Sequence, residues 1–232
     1  MTISLTSEAT EVRREQVFLR QVGLWMAGGL GLTAVIAGAL MAQPEAMEWF
    51  FRTTPGHQGL SILGWVAMLA PLLLILGVGT LARNASFPVV ATVYLTVAAC
   101  FGVTLAPIGL LYTPESLLTV LAATIGAFGG FAAWGFFTSR SLAGVGHFAF
   151  MGLIGLIVLG FVQIFWPTST LNFLLGVGGV LVFTLLTAWD VQKIRQMASS
   201  GDDRLAVWGA LSLYLDFINL FLSLLRLMGG RR

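Results

Sequence analysis

Charge is what this sequence has least of. Ten acids and twelve Lys and Arg are all it carries in 232 residues, 9% charged against 57% apolar. A soluble domain averages roughly 25% charged residues, so this surface is matched to something other than water. The net charge is only +2 and the bases are scattered, so the chain offers no patch for nucleic acid. Cysteine is nearly absent too: Cys100 alone excludes an internal disulfide and a cysteine-held metal. His57 and His147 are the only histidines, and both read as interfacial residues beside loops, which leaves a hydrolase without its usual base and metal ligands. The single lysine, Lys193, falls at a span edge, which excludes a retinal protein. We therefore expect no enzymatic activity and no tightly bound cofactor.

What the chain has instead is hydrophobic length. About 20 apolar residues cross a bilayer, and such stretches recur throughout. Charges, prolines and helix-start signals bracket seven: 18–41, 59–81, 88–111, 116–137, 147–166, 171–190 and 205–228. This pattern predicts an all-α polytopic membrane protein, a single seven-helix domain over 18–232 behind a polar tail at 1–17. Ser86-Phe87-Pro88 and Thr113-Pro114-Glu115 fit helix entries, and Asp202-Asp203 suits an N-cap. Pro71 and Pro107 fall inside spans and should kink them. Ala37-Gly38-Ala39 has the look of a cleavage site, but the run is longer than a signal peptide's core, so helix one is expected to stay. Gly126 and Gly130 form a GxxxG pair, and Gly28, Gly31, Gly176 and Gly179 add small faces for helix packing.

Basic residues in the connections set orientation. Arg13, Arg14, Arg20, Arg83, Arg140, Lys193, Arg195 and Arg204 fall on one side, and Arg52 alone on the other before the C-terminus. The N-terminus is thus expected in the cytoplasm. Arg231 and Arg232 run against the count, which leaves a re-entrant last helix as the alternative.

One acid interrupts the last apolar run. Ser212, Asp216, Asn219, Ser223 and Arg226 are spaced 4, 3, 4 and 3 apart, a single helical face, with Asp216 midway along the span. A charge at that depth costs at least about 2.5 to 3.5 kcal/mol, so Asp216 needs a partner or must stay protonated. The partners available are Asp190, at the end of the sixth span, and Arg83, at the end of the second. A short connection makes the last two helices antiparallel neighbours and brings both carboxylates to one seam, with Asp216 several Å the deeper.

The strings TAWDVQKIR (187–195) and GALSLYLDFINLFLSLLRLMG (209–229) resemble the C-terminal signature of the Bax inhibitor-1 family, the transmembrane Bax inhibitor motif proteins, and GVTLAPI (102–108) fits the same family. The resemblance implies seven helices with the last one central, a bacterial inner-membrane location, and a pH-sensitive calcium leak gated by two aspartates matching Asp190 and Asp216. Arg83 matches an arginine linked to that pair. Some relatives carry an acid early in helix two where this chain has Gly64, which puts an ion-entry role for that position in doubt.

The physics of such a gate does not depend on the name. Two carboxylates at hydrogen-bond distance in a dry seam cannot easily both carry charge, so they share a proton and tie two helices together. When the proton leaves, repulsion parts them unless a cation or Arg83 intervenes. The opened seam, lined by Ser212, Asn219, Ser223 and Arg226, offers oxygens suited to transient calcium held by Asp190 and Asp216. The expected partners are the lipid bilayer, protons and calcium as permeant ion, with the chain a monomer. The rival reading is a non-conducting regulator that binds another membrane protein such as a membrane-bound protease; intramembrane aspartyl proteolysis is a third.

Overall fold

The computed structural model describes residues 2–54, 57–81, 85–198 and 202–230. Helix α1 (Thr2–Ala42) is followed by the short α2 (Pro44–Glu48), strands β1 (Phe51–Thr54) and β2 (His57–Leu60), α3 (Ile62–Leu81), α4 (Phe87–Leu105), the short α5 (Ile108–Leu111), α6 (Pro114–Phe137), α7 (Ala143–Phe165), α8 (Ser169–Met197) and α9 (Asp203–Met228). Six helices are long and apolar enough to cross a membrane by length and composition, and α3 contributes a shorter apolar stretch, Ile62–Ile75, among the described residues. The most buried of the six is α9, with 61% of its apolar window inside, followed by α8 with 50%.

Several boundaries differ from the sequence reading, each for a local reason. The expected 1–17 tail is helical from Thr2, because nothing between there and Arg20 breaks a helix: the stretch holds neither Gly nor Pro. The expected all-α chain carries one antiparallel hairpin, with Phe51 opposite Leu60 and Arg52 opposite Gly59, so the second span starts at Ile62 rather than 59. Three of the four β1 residues, Phe51, Thr53 and Thr54, are strand-favouring types that a count of apolar residues overlooks. Pro71 sits inside an uninterrupted α3, whereas Pro107 separates α4 from α5. There Gly109 donates its N–H to the Ala106 carbonyl and Leu110 to that of Pro107, short turns replacing the bond proline lacks.

The helix entries follow the capping chemistry. Thr113 accepts a hydrogen bond from the Ser116 N–H at 3.3 Å with Pro114 in the first turn, and Thr168 accepts from Leu171 at 3.2 Å. Asp202 Oδ1 accepts from the Arg204 N–H at 2.9 Å, and the Arg204 side chain folds back on the same carboxylate at 2.7 Å. That guanidinium holds the Asp202 carboxyl below its usual range. It also donates to the Ala85 carbonyl at 3.2 Å.

The chain packs as two compact units. One combines α6, α7, α8 and α9 from Ser212 onward with the start of α1 up to Leu19. Its core is Ala149, Phe183, Leu186 and Leu220, with Phe128 meeting Phe217 edge-on at 5.5 Å. Glycine brings its helices close: a Cβ at Gly135 would run into the Ala188 carbonyl, one at Gly146 into the Trp189 ring, and one at Gly179 into Ser223. Gly126 and Gly130, by contrast, have nothing within 4 Å of such a Cβ, and the same holds for Gly28 and Gly31. The GxxxG pair expected to pack against a helix does not do so among the described residues; the pattern marks a small face without naming its neighbour.

The other unit takes α1 from Arg20, α2, the hairpin, α3, α4, α5 and α9 as far as Leu211. Leu40, Met47 and Ala106 form a core cluster there. The buried Tyr94 hydroxyl donates to the Trp25 carbonyl at 2.8 Å and Thr33 to that of Ala98 at 2.9 Å. Both bonds spare a polar group from facing hydrocarbon unpaired.

Candidate functional site

The site is built in the first unit, where α8 and α9 run side by side. Helix α8 does not stop at Asp190, as its apolar run suggested, but continues to Met197, so Asp190 lies two turns inside it. That extension sets the register. Ser212 of α9 lies close enough to Asp190 to act on its carboxyl, and Asp216 lies one turn beyond Ser212, about 6 Å further along the axis. Asp190 is also close enough to act on the charge of Asp216.

The two acids have different surroundings. Asp216 is 5% exposed, and its Oδ2 is buried with no hydrogen-bond partner. An unpaired buried acceptor costs about 1 to 3 kcal/mol, which a fold has no structural reason to carry. Asp190 is half-buried and also feels Lys193, whose ammonium sits 5.2 Å from the centre of the Trp189 ring. His147 of α7 has its ring centre 6.4 Å from that of the same indole. The hydroxyls nearest Asp190 on its own helix are occupied: Thr187 bonds the Phe183 carbonyl at 2.7 Å and Thr184 that of Val180 at 2.7 Å.

Further along α9 the polar face continues through neutral side chains before it reaches Arg226. Asn219 donates to the Leu215 carbonyl at 2.8 Å and Ser223 to the Asn219 carbonyl at 2.7 Å. Both then turn toward a cavity of about 190 Å³ between α7, α8 and α9, shared with Gly179 and Arg226. The structure thus brings Ser212 to Asp190 and gathers Asn219, Ser223 and Arg226 in one cavity. Arg83 lies outside the described residues. Among the described residues no group of three or more His, Cys, Asp or Glu is gathered to hold a metal.

Three residues were not picked out from the sequence as part of a site. Beyond Asp190, Gln192 donates to the Arg140 carbonyl at 2.9 Å and accepts from the Leu142 N–H at 2.8 Å. Arg195 donates to Glu15 at 3.0 Å and to the Phe136 carbonyl at 2.7 Å, with its guanidinium over the Phe136 ring. These contacts clamp the 138–142 connection and the start of α1 to the end of α8. Gln163 is the third: its amide oxygen is buried without a partner near the end of α7. The signal available for it was one amide in the otherwise apolar run GLIVLGFVQIF (155–165) of α7.

Residues 15–232 match the family described as "Inhibitor of apoptosis-promoting Bax1". The chain is similar to the inner membrane protein YbhL of Escherichia coli K12, 35% identical over 224 residues that cover 94% of this chain and 93% of that protein. It is also similar to an uncharacterised protein of Caulobacter vibrioides, 37% identical over 88% of this chain and 84% of the relative. A third, from Borreliella burgdorferi, is 35% identical over 99% of both chains.

Proposed function

Because this chain belongs to the Bax inhibitor-1 family of integral membrane proteins, we propose that it is a passive calcium leak gated by the protonation of Asp190 and Asp216. In this reading the chain crosses a bacterial inner membrane seven times, α3 included, with its N-terminus in the cytoplasm and α9 at the centre of the helices. The observation that carries it is Asp216: a nearly inaccessible acid with an unpartnered oxygen, next to a second acid on the neighbouring helix. A purely structural polar residue would have been given a partner or replaced by an apolar one.

The gate works through these residues. With one proton on the pair, a neutral Asp216 lies quietly in the apolar seam while Ser212 of α9 stands beside Asp190 of α8. When that proton is lost, two like charges face one another in a medium that screens them poorly, and the seam between α8 and α9 loosens. A permeant cation then offsets the repulsion and passes on toward Asn219 and Ser223. Two carboxylates and a few neutral oxygens fall short of the six to eight ligands that hold calcium tightly, so the site favours passage over storage.

Reconstitution in calcium-free vesicles tests this. Calcium entry that varies with pH and is lost in Asp190→Asn and Asp216→Asn is the expected result. Absence of flux at every pH overturns the leak in favour of a regulator that acts by binding another membrane protein, and cleavage of a quenched transmembrane peptide would favour a protease.

A further inference from the structure

An open groove of about 380 Å³ runs between α7, α8 and α9 at the end where α7 finishes and α8 begins. Ile157, Phe161, Ile164 and Leu175 form its walls, and Gln163 and Arg226 are its polar groups. Gln163 is two residues from the end of α7 at Phe165, and Arg226 two residues from the end of α9 at Met228. Both therefore sit about 3 Å inside a helix terminus, the depth at which hydrocarbon gives way to lipid headgroups.

Neither polar group is satisfied by the protein. Arg226 is exposed and makes none of the ion pairs found among the described residues, which join Arg195 to Glu15 and Arg204 to Asp202. Among the described residues no acid lines the groove. The Gln163 amide oxygen is buried without a donor. A cation with no counter-charge, an acceptor with no donor and four apolar walls together describe a ligand with an anionic head, a hydrogen-bond donor beside it, and an apolar tail.

We propose that this groove holds one glycerophospholipid, its phosphate on Arg226, a headgroup hydroxyl or ammonium donating to Gln163, and an acyl chain along Ile157, Phe161, Ile164 and Leu175. A guanidinium engages a phosphate oxygen by charge-assisted hydrogen bonds, stronger than neutral ones. The lipid would also cap the smaller cavity behind it, which shares Ile157, Leu175 and Arg226 with the groove and reaches Asn219 and Ser223. The site does not depend on the calcium reading: it stands whether or not the chain conducts.

The test is native mass spectrometry of the full, delipidated chain titrated with phosphatidylglycerol, phosphatidylethanolamine and phosphatidylcholine, whose choline headgroup has no N–H or O–H to donate. The wild type is expected to retain one lipid, with the first two species preferred over the third. Arg226→Gln should weaken retention about tenfold, the equivalent of losing one charge-assisted bond. Arg140→Gln, a charge removed outside the groove, should leave retention unchanged. Gln163→Leu keeps the charge and should erase the preference over phosphatidylcholine, so it carries the test if Arg226→Gln does not fold. Equal retention in wild type and Arg226→Gln, an unchanged preference in Gln163→Leu, or displacement of the lipid by millimolar inorganic phosphate alone would each overturn the assignment.

Discussion

Ser212 on α9 stands beside the Asp190 carboxyl on α8, which sets the two helices one turn out of step with a direct match of their acids. Ser212→Ala removes that neighbour of Asp190 and should therefore change the pH dependence of calcium flux. Flux measured against pH in vesicles checks this, and an unmoved midpoint would detach Ser212 from the gate.

Asp216 stands against stability. Its Oδ2 is buried without a partner and a second acid lies nearby. Replacing it by the apolar Asp216→Leu removes both penalties and should raise the thermal unfolding midpoint in detergent by a few degrees, about 1 kcal/mol, while abolishing flux. A lowered midpoint would mean the acid is a structural element after all.

Close helix approach makes a sharper steric forecast. Gly135→Ala would drive a methyl into the Ala188 carbonyl between α6 and α8, at a cost of about 1 to 3 kcal/mol. Gly130→Ala, five residues earlier with nothing within 4 Å, should be neutral. Thermal unfolding of the two variants side by side separates them; similar losses would refute the packing of α6 on α8.

Asp202 supplies a modest pH dependence at the start of α9. Arg204 depresses its carboxyl when folded, so its contribution is complete above the unfolded value near about 3.9 and fades as the pH falls through the lower folded value. Asp202→Ala should lose about 1 kcal/mol of capping at neutral pH and converge with the wild type in acid. The pair is partly exposed, so raised salt should shrink its ionic share. Unfolding midpoints at pH 7 and pH 3 decide the matter.

How much of this the sequence revealed depends on distance along the chain. The polar face of α9 was legible because residues spaced by three and four share one side of a helix whatever surrounds it. The register of Asp190 was not, because it depends on where α8 ends, and WDVQKIRQM stays helical after its apolar pattern has stopped. Pro107 announced a disturbance, but only the turn around Ala106 made it a break rather than a bend. The hairpin at 51–60 escaped a reading tuned to apolar length. Gln163 and Arg226 share a groove although 63 positions separate them, a proximity that no local pattern encodes.

Past Asp190, α8 is an unbroken rod that grips the 138–142 connection through Gln192 and the end of α6 through Arg195. Any rotation of that rod must swing the connection with it, in the manner of a tiller. Ser141 is exposed there, and Cys100 is the chain's one native thiol. A thiol-reactive dye on Ser141→Cys, with Cys100 replaced by alanine, would turn that swing into light.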